Sequence, residues 1–196
     1  MLKKLIFAIM LLFLLSSWQK YEVKIENPEI LTVSERYLKS QVGLKEKTGH
    51  NDGPHITRYM NAVGLSGSRG YPYCAAGQVW CLWMACKDLN EPYPFSKRSG
   101  LANFFYTDAV KHGRLCNTNE PKKHNLVVWK SPKNNTGHVE RIDSVGEKGW
   151  VWTVGFNTSN GLLGSQRDGN GVFRVKRNLK SPLGRLRLRG LVGFHN

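Results

Sequence analysis

The order of apolar and polar positions divides the chain into a helical first half and an extended second half. Over residues 27–41, Ile30, Leu31, Val33, Tyr37 and Leu38 recur at roughly helical spacing and Pro28 suits a first turn, which predicts a helix. A polar loop, Gly49-His50-Asn51-Asp52-Gly53, follows. Residues 54–63 then place Ile56, Tyr59, Met60 and Val63 on one helical face. Residues 64–70 hold three glycines and two serines and read as loop. A third helix begins where Pro72-Tyr73 lead into Cys74 and runs to about Ala85. It is apolar nearly all round, so it is expected to be the buried central helix of the domain. A fourth is predicted over residues 101–111, with Ser99 as cap and Gly113 as stop.

Beyond that point the pattern turns to strands, over residues 126–129, 138–145, 150–156, 172–176 and 186–194. Polar, glycine-bearing turns such as Gly146-Glu147-Lys148-Gly149 and Asp168-Gly169-Asn170-Gly171 separate several of them. Helices first and strands afterwards predict an α+β domain, with amino-terminal helices packed on a mainly antiparallel sheet.

The first residues follow another logic. Lys3 and Lys4 precede an apolar run of eleven residues, Leu5 to Leu15, followed by Ser16 and Ser17. This is the layout of a secretory signal peptide, and the run is well short of the ~20 residues a membrane span needs. Leu15 and Trp18 make a poor cleavage site, so residues 1–17 are expected to be a signal peptide or an amino-terminal anchor. Residues 18–196 are expected to form a single domain outside the cytoplasm, periplasmic or extracellular.

Export changes the meaning of the charge. The 196-residue chain carries +15, and +13 without Lys3 and Lys4. In a cytosolic protein this would point to nucleic acid, but there is no zinc finger, helix-turn-helix or similar motif. For an exported protein the matching polyanions are peptidoglycan carboxylates, teichoic acids and anionic lipid head groups. Lys176, Arg177, Lys180, Arg185, Arg187 and Arg189 concentrate near the end, as a solvated face or a binding patch.

Four cysteines, Cys74, Cys81, Cys86 and Cys116, are the remaining chemical resource. Cys81 and Cys86 lie at the edge of zinc-site spacing, but no second pair completes such a site. They read as core thiols or bridge partners. Cys74 differs because it stands at a helix amino terminus, where unpaired backbone N–H groups and the helix dipole favour a thiolate. A thiolate nucleophile needs a base, and His138 opens a strand in Thr136-Gly137-His138-Val139-Glu140-Arg141-Ile142. The base needs an orienting group, and Asn157 ends the next strand in Val154-Gly155-Phe156-Asn157-Thr158. Taken singly, the three read equally as a core thiol, an edge-strand histidine and a turn asparagine.

Taken in order, Tyr71-Pro72-Tyr73-Cys74-Ala75-Ala76, Thr136-Gly137-His138-Val139 and Gly155-Phe156-Asn157-Thr158-Ser159 resemble the CHAP family of cysteine, histidine-dependent amidohydrolases and peptidases. Gly43-Leu44-Lys45-Glu46, Asn51-Asp52-Gly53-Pro54 and Tyr59 are similar to a subgroup with a helical lead-in, and the likeness spans roughly residues 43–177. The resemblance implies a papain-like fold and cleavage of peptidoglycan amides, at muramoyl–alanine or at peptide bonds. It implies Cys74 as nucleophile, His138 as base and then acid, and Asn157 as orienter, with no metal or organic cofactor. Tyr73 and Asn51, within the matched blocks, are candidates for a second oxyanion donor. A non-catalytic wall-binding protein and a secreted wall-degrading toxin are the rival functions. The chain departs from the family pattern at three places: Gly155 where an acidic residue is frequent, Gly77-Gln78 after the two alanines, and His124-Asn125 where Gly-Asp is common.

Overall fold

The computed structural model describes residues 27–66, 70–161 and 169–194; the leader lies outside them. Among the described residues, four helices precede the sheet: α1 Glu29–Gln41, α2 Pro54–Ala62, α3 Cys74–Leu89 and α4 Ala102–Lys111. They fall where the hydrophobic spacing predicts, with α3 running four residues further, to a left-handed Asn90 (φ 53°) whose N–H closes on Lys87. The strands are β1 Leu115–Cys116, β2 Leu126–Lys130, β3 Gly137–Val145, β4 Trp150–Thr158, β5 Gly171–Asn178 and β6 Arg187–Val192. They form one sheet in the order β1-β6-β2-β3-β4-β5, every neighbouring pair antiparallel. The fold is α+β, with helices packed on the sheet. Only β1 has no counterpart in the sequence pattern, because two residues carry no periodicity.

Two apolar clusters explain the continuous run Leu126-Val127-Val128-Trp129. Leu126 and Val128 join the main core beneath the helices, while Val127 and Trp129 pack on the other face with Ile142, Val151 and Leu191. A strand covered on both faces loses the alternation of a half-exposed one.

α3 is the central element, with eleven buried residues along one helix. Its close approach to the sheet depends on Gly77. A Cβ there would lie 2.2 Å from the Phe156 ring, so only a bare backbone lets the helix cross β4. The neighbouring Gln78 is buried and donates from Nε2 to the Val154 carbonyl (3.0 Å), tying helix to strand with its amide satisfied. α1 is held by the buried Arg141 of β3, which donates to Ser34 Oγ (2.7 Å) and the Leu31 carbonyl (3.0 Å). The segment after α1 runs beside β5, with Gly43 and Leu44 hydrogen-bonded to Val172 and Glu46 to Asn170. This brings Glu46 toward the start of α3.

Candidate active site

Cys74 is the first residue of α3 and is 5% exposed. β3 pairs with β4 only from Glu140 onward, so the stretch of β3 before it has no β4 partner. The amino end of α3 meets β3 there. Burial resists ionisation of the Cys74 thiol, but the His138 side chain and the N–H groups of Val139 and Ala75 overcome it and lower its pKa. The other three cysteines go the opposite way, and all four are free thiols. Burial pushes Cys81 far up and Cys86 to about 11, and it raises Cys116 as well.

His138 is wholly buried. Its Nδ1 has no partner that meets ordinary hydrogen-bond geometry, yet ring and thiol are near enough to shift each other's protonation. Burial works against the imidazolium, but the Cys74 thiol and the Glu140 carboxylate outweigh it and raise the His138 pKa to about 9. A lowered thiol beside a raised imidazole favours the thiolate–imidazolium pair near neutral pH.

The group on the far side of the ring is Glu140, whose Oε1 lies 3.0 Å from His138 Nε2. Residues two apart on a strand share a face, which puts ring and carboxylate side by side. Asn157, expected to orient the imidazole, does something else. The β4–β5 register shifts between Phe156 and Thr158, and Asn157 adopts a left-handed φ of 54° there, a conformation asparagine tolerates better than most residues. Such a bulge re-aims a side chain. The Asn157 Oδ1 accepts the Tyr73 N–H (3.0 Å) and its Nδ2 donates to the Gly169 carbonyl (3.3 Å). Asn157 therefore fixes the backbone just before Cys74, and the His138 ring is oriented by a carboxylate instead.

Glu140 is itself wholly buried and its oxygens are satisfied. Arg177 grips both, Nη2 to Oε1 (2.6 Å) and Nε to Oε2 (2.9 Å), and Thr153 Oγ1 donates to Oε2 (2.5 Å). Arg177 Nη2 also reaches Thr158 Oγ1 (3.0 Å). Burial alone would raise the Glu140 pKa, but Arg177 and His138 hold it at about 2. Arg177, counted among surface charges by sequence, is in fact 7% exposed. Glu140 and Thr153 also carry no motif of their own. The available signals were the His-x-Glu alternation on β3 and the glycine at 155.

The lead-in residues are engaged as well. Tyr73 Oη donates to Glu46 Oε1 (3.2 Å), and Glu46 Oε2 accepts the Asn51 N–H (2.9 Å). Burial pushes the Tyr73 hydroxyl far above its ordinary range. Asn51 Nδ2 donates to the Gly70 carbonyl (3.0 Å). Both side chains considered as oxyanion donors thus brace the turn into α3.

No protein-family model matches this chain, and no curated protein matches it. Among the described residues, no helix is long and apolar enough to cross a membrane.

Proposed function

We propose that the protein is an exported cysteine hydrolase of the CHAP type, with a papain-like arrangement, cutting amide bonds in bacterial peptidoglycan. One observation carries the reading. Of four cysteines, only the one at the head of a buried helix has its thiol pushed toward thiolate, and the histidine responsible is backed by a buried carboxylate. A protein that only bound wall polymer would have no use for this arrangement. Export rests on the leader, and the wall substrate rests on the resemblance and the net charge of +15.

Hydrolysis would run in two stages, through a thioester. The Cys74 thiolate adds to the scissile carbonyl. The oxyanion is met by the Cys74 N–H, in the first turn of α3 where amides lack intrahelical acceptors. Losing one such donor typically costs ~10²–10³ in rate. The His138 imidazolium protonates the leaving amine as the thioester forms. The neutral imidazole then takes a proton from water, which attacks the thioester, and the thiolate leaves with the acid product. Glu140, clamped by Arg177 and Thr153, keeps the ring's far nitrogen protonated and the near one facing sulfur.

The test is digestion of purified peptidoglycan with mass spectrometry of the released fragments. The parent protein should release muropeptides with a new amine. Cys74→Ala should release none while keeping its circular dichroism and melting temperature. Equal release by that variant would end the proposal.

A further inference from the structure

Beside Cys74 lies a cleft of about 560 Å³, within the range of roughly 300–1,000 Å³ usual for small-molecule sites. Its large apolar side chains come from three separate segments. Met60, Val63 and Leu65 extend from the end of α2, Tyr71 from the turn into α3, and Leu101 from the start of α4. Leu65 is 40% exposed, Tyr71 50% and Leu101 71%. A single exposed leucine is unremarkable. Three large apolar side chains from three segments, meeting on one cleft that also contains the candidate nucleophile, call for an apolar ligand.

The charge distribution points the same way. The chain has 29 lysines and arginines, yet among the described residues none lines this cleft, and neither does any aspartate or glutamate. Its polar side chains besides Cys74 and Tyr71 are Asn135 and Thr136, both neutral. A carboxylate seated there would lose water and meet no cationic side chain among the described lining residues, a costly exchange.

We infer that this cleft is a specificity subsite for an uncharged, apolar group flanking the scissile amide, and that it rejects a carboxylate at that position. The assignment rests on the reading of Cys74 as nucleophile. It selects, among amide substrates, bonds bordered by aliphatic or aromatic groups over bonds bordered by acidic residues such as a γ-linked glutamate.

Three alkylating agents test it on the intact protein: iodoacetamide, N-hexyl-iodoacetamide, and 6-(iodoacetamido)hexanoate. In each, the thiolate displaces iodide and a thioether forms. Rates at Cys74, read by peptide mass spectrometry, are divided by each reagent's rate with glutathione. The hexyl reagent should label Cys74 with saturation and about tenfold or more faster than the hexanoate, since burying an alkyl chain is worth at least that factor. In Leu101→Asn and Leu65→Asn, each normalised to its own iodoacetamide rate, the preference should shrink about threefold or more. Equal normalised rates for hexyl and hexanoate, with iodoacetamide still reacting selectively at Cys74, would overturn the subsite and leave the nucleophile standing. Failure of all three to react at Cys74 near neutral pH would overturn the nucleophile, and the subsite with it.

Discussion

The carboxylate of Glu140 lies over the bare backbone of Gly155, its partner across the β3–β4 ladder. A Cβ at Gly155 would stand 2.6 Å from Glu140 Oε1 and within 3 Å of Cγ and Cδ. Position 155 is where the resembled family frequently carries its own acidic residue. Here the acid comes from the neighbouring strand, and the glycine makes room for it.

Gly155→Ala should therefore move the carboxylate off His138, since Arg177 and Thr153 leave it no easy alternative. Overpacking of this kind costs about 1–3 kcal/mol. The expected result is a lower melting temperature together with a lower His138 pKa in an NMR titration. A stability loss with an unmoved titration would mean that the carboxylate does not hold the ring.

Glu140→Gln separates orientation from stability. It removes the charge opposing a buried Arg177, a kind of loss that costs about 3–5 kcal/mol. It also leaves the imidazole facing a neutral amide, and the corresponding change in a serine-protease triad lowers kcat by about 10⁴. A drop of about 10² or more is expected here. Adding Arg177→Met should restore much of the stability, measured by urea denaturation, and none of the activity.

The pH response should have a particular shape. His138 is raised from 6.5 to about 9, so hydrolysis should fall as pH climbs through 9 and the imidazolium that protonates the leaving amine disappears. Alkylation of Cys74 needs only the thiolate and should not fall there. Because the folded pKa is the higher one, the stability His138 contributes is complete below 6.5 and is lost as pH rises through 9. Glu140 has the opposite sign: its pKa drops from 4.5 to about 2, so its contribution is complete above 4.5 and is lost as pH falls through 2. Thermal melts across pH should show both flanks.

Asn157→Ala tests the reassignment of that residue. It leaves the buried Tyr73 N–H without its acceptor, worth about 1–3 kcal/mol, and puts a Cβ-bearing alanine at φ 54°. Activity should fall because the backbone before Cys74 loosens. The His138 titration should stay where it was, in contrast to Glu140→Gln. A shift in that titration comparable to the one in Glu140→Gln would return Asn157 to the imidazole.

What the sequence determined by itself is whatever short-range pattern carries. The spacing of Ile30, Leu31, Val33 and Leu38 specifies α1, and an all-round apolar stretch specifies a buried α3 with Cys74 at its head. Helix and strand periods are local properties, and so is the position of a residue at a helix end. Tertiary structure decided which groups meet. Arg177 reads as one more surface cation until the fold lays β5 beside β4 and turns it onto a carboxylate 37 residues away. Asn157 reads as the imidazole's partner until a one-residue bulge aims it at Tyr73, 84 residues back. Gly77 and Gly155 read as departures until Phe156 and Glu140 fill the space above them. Pairings across such distances depend on register and close packing, and neither leaves a mark on the residues nearby in the chain.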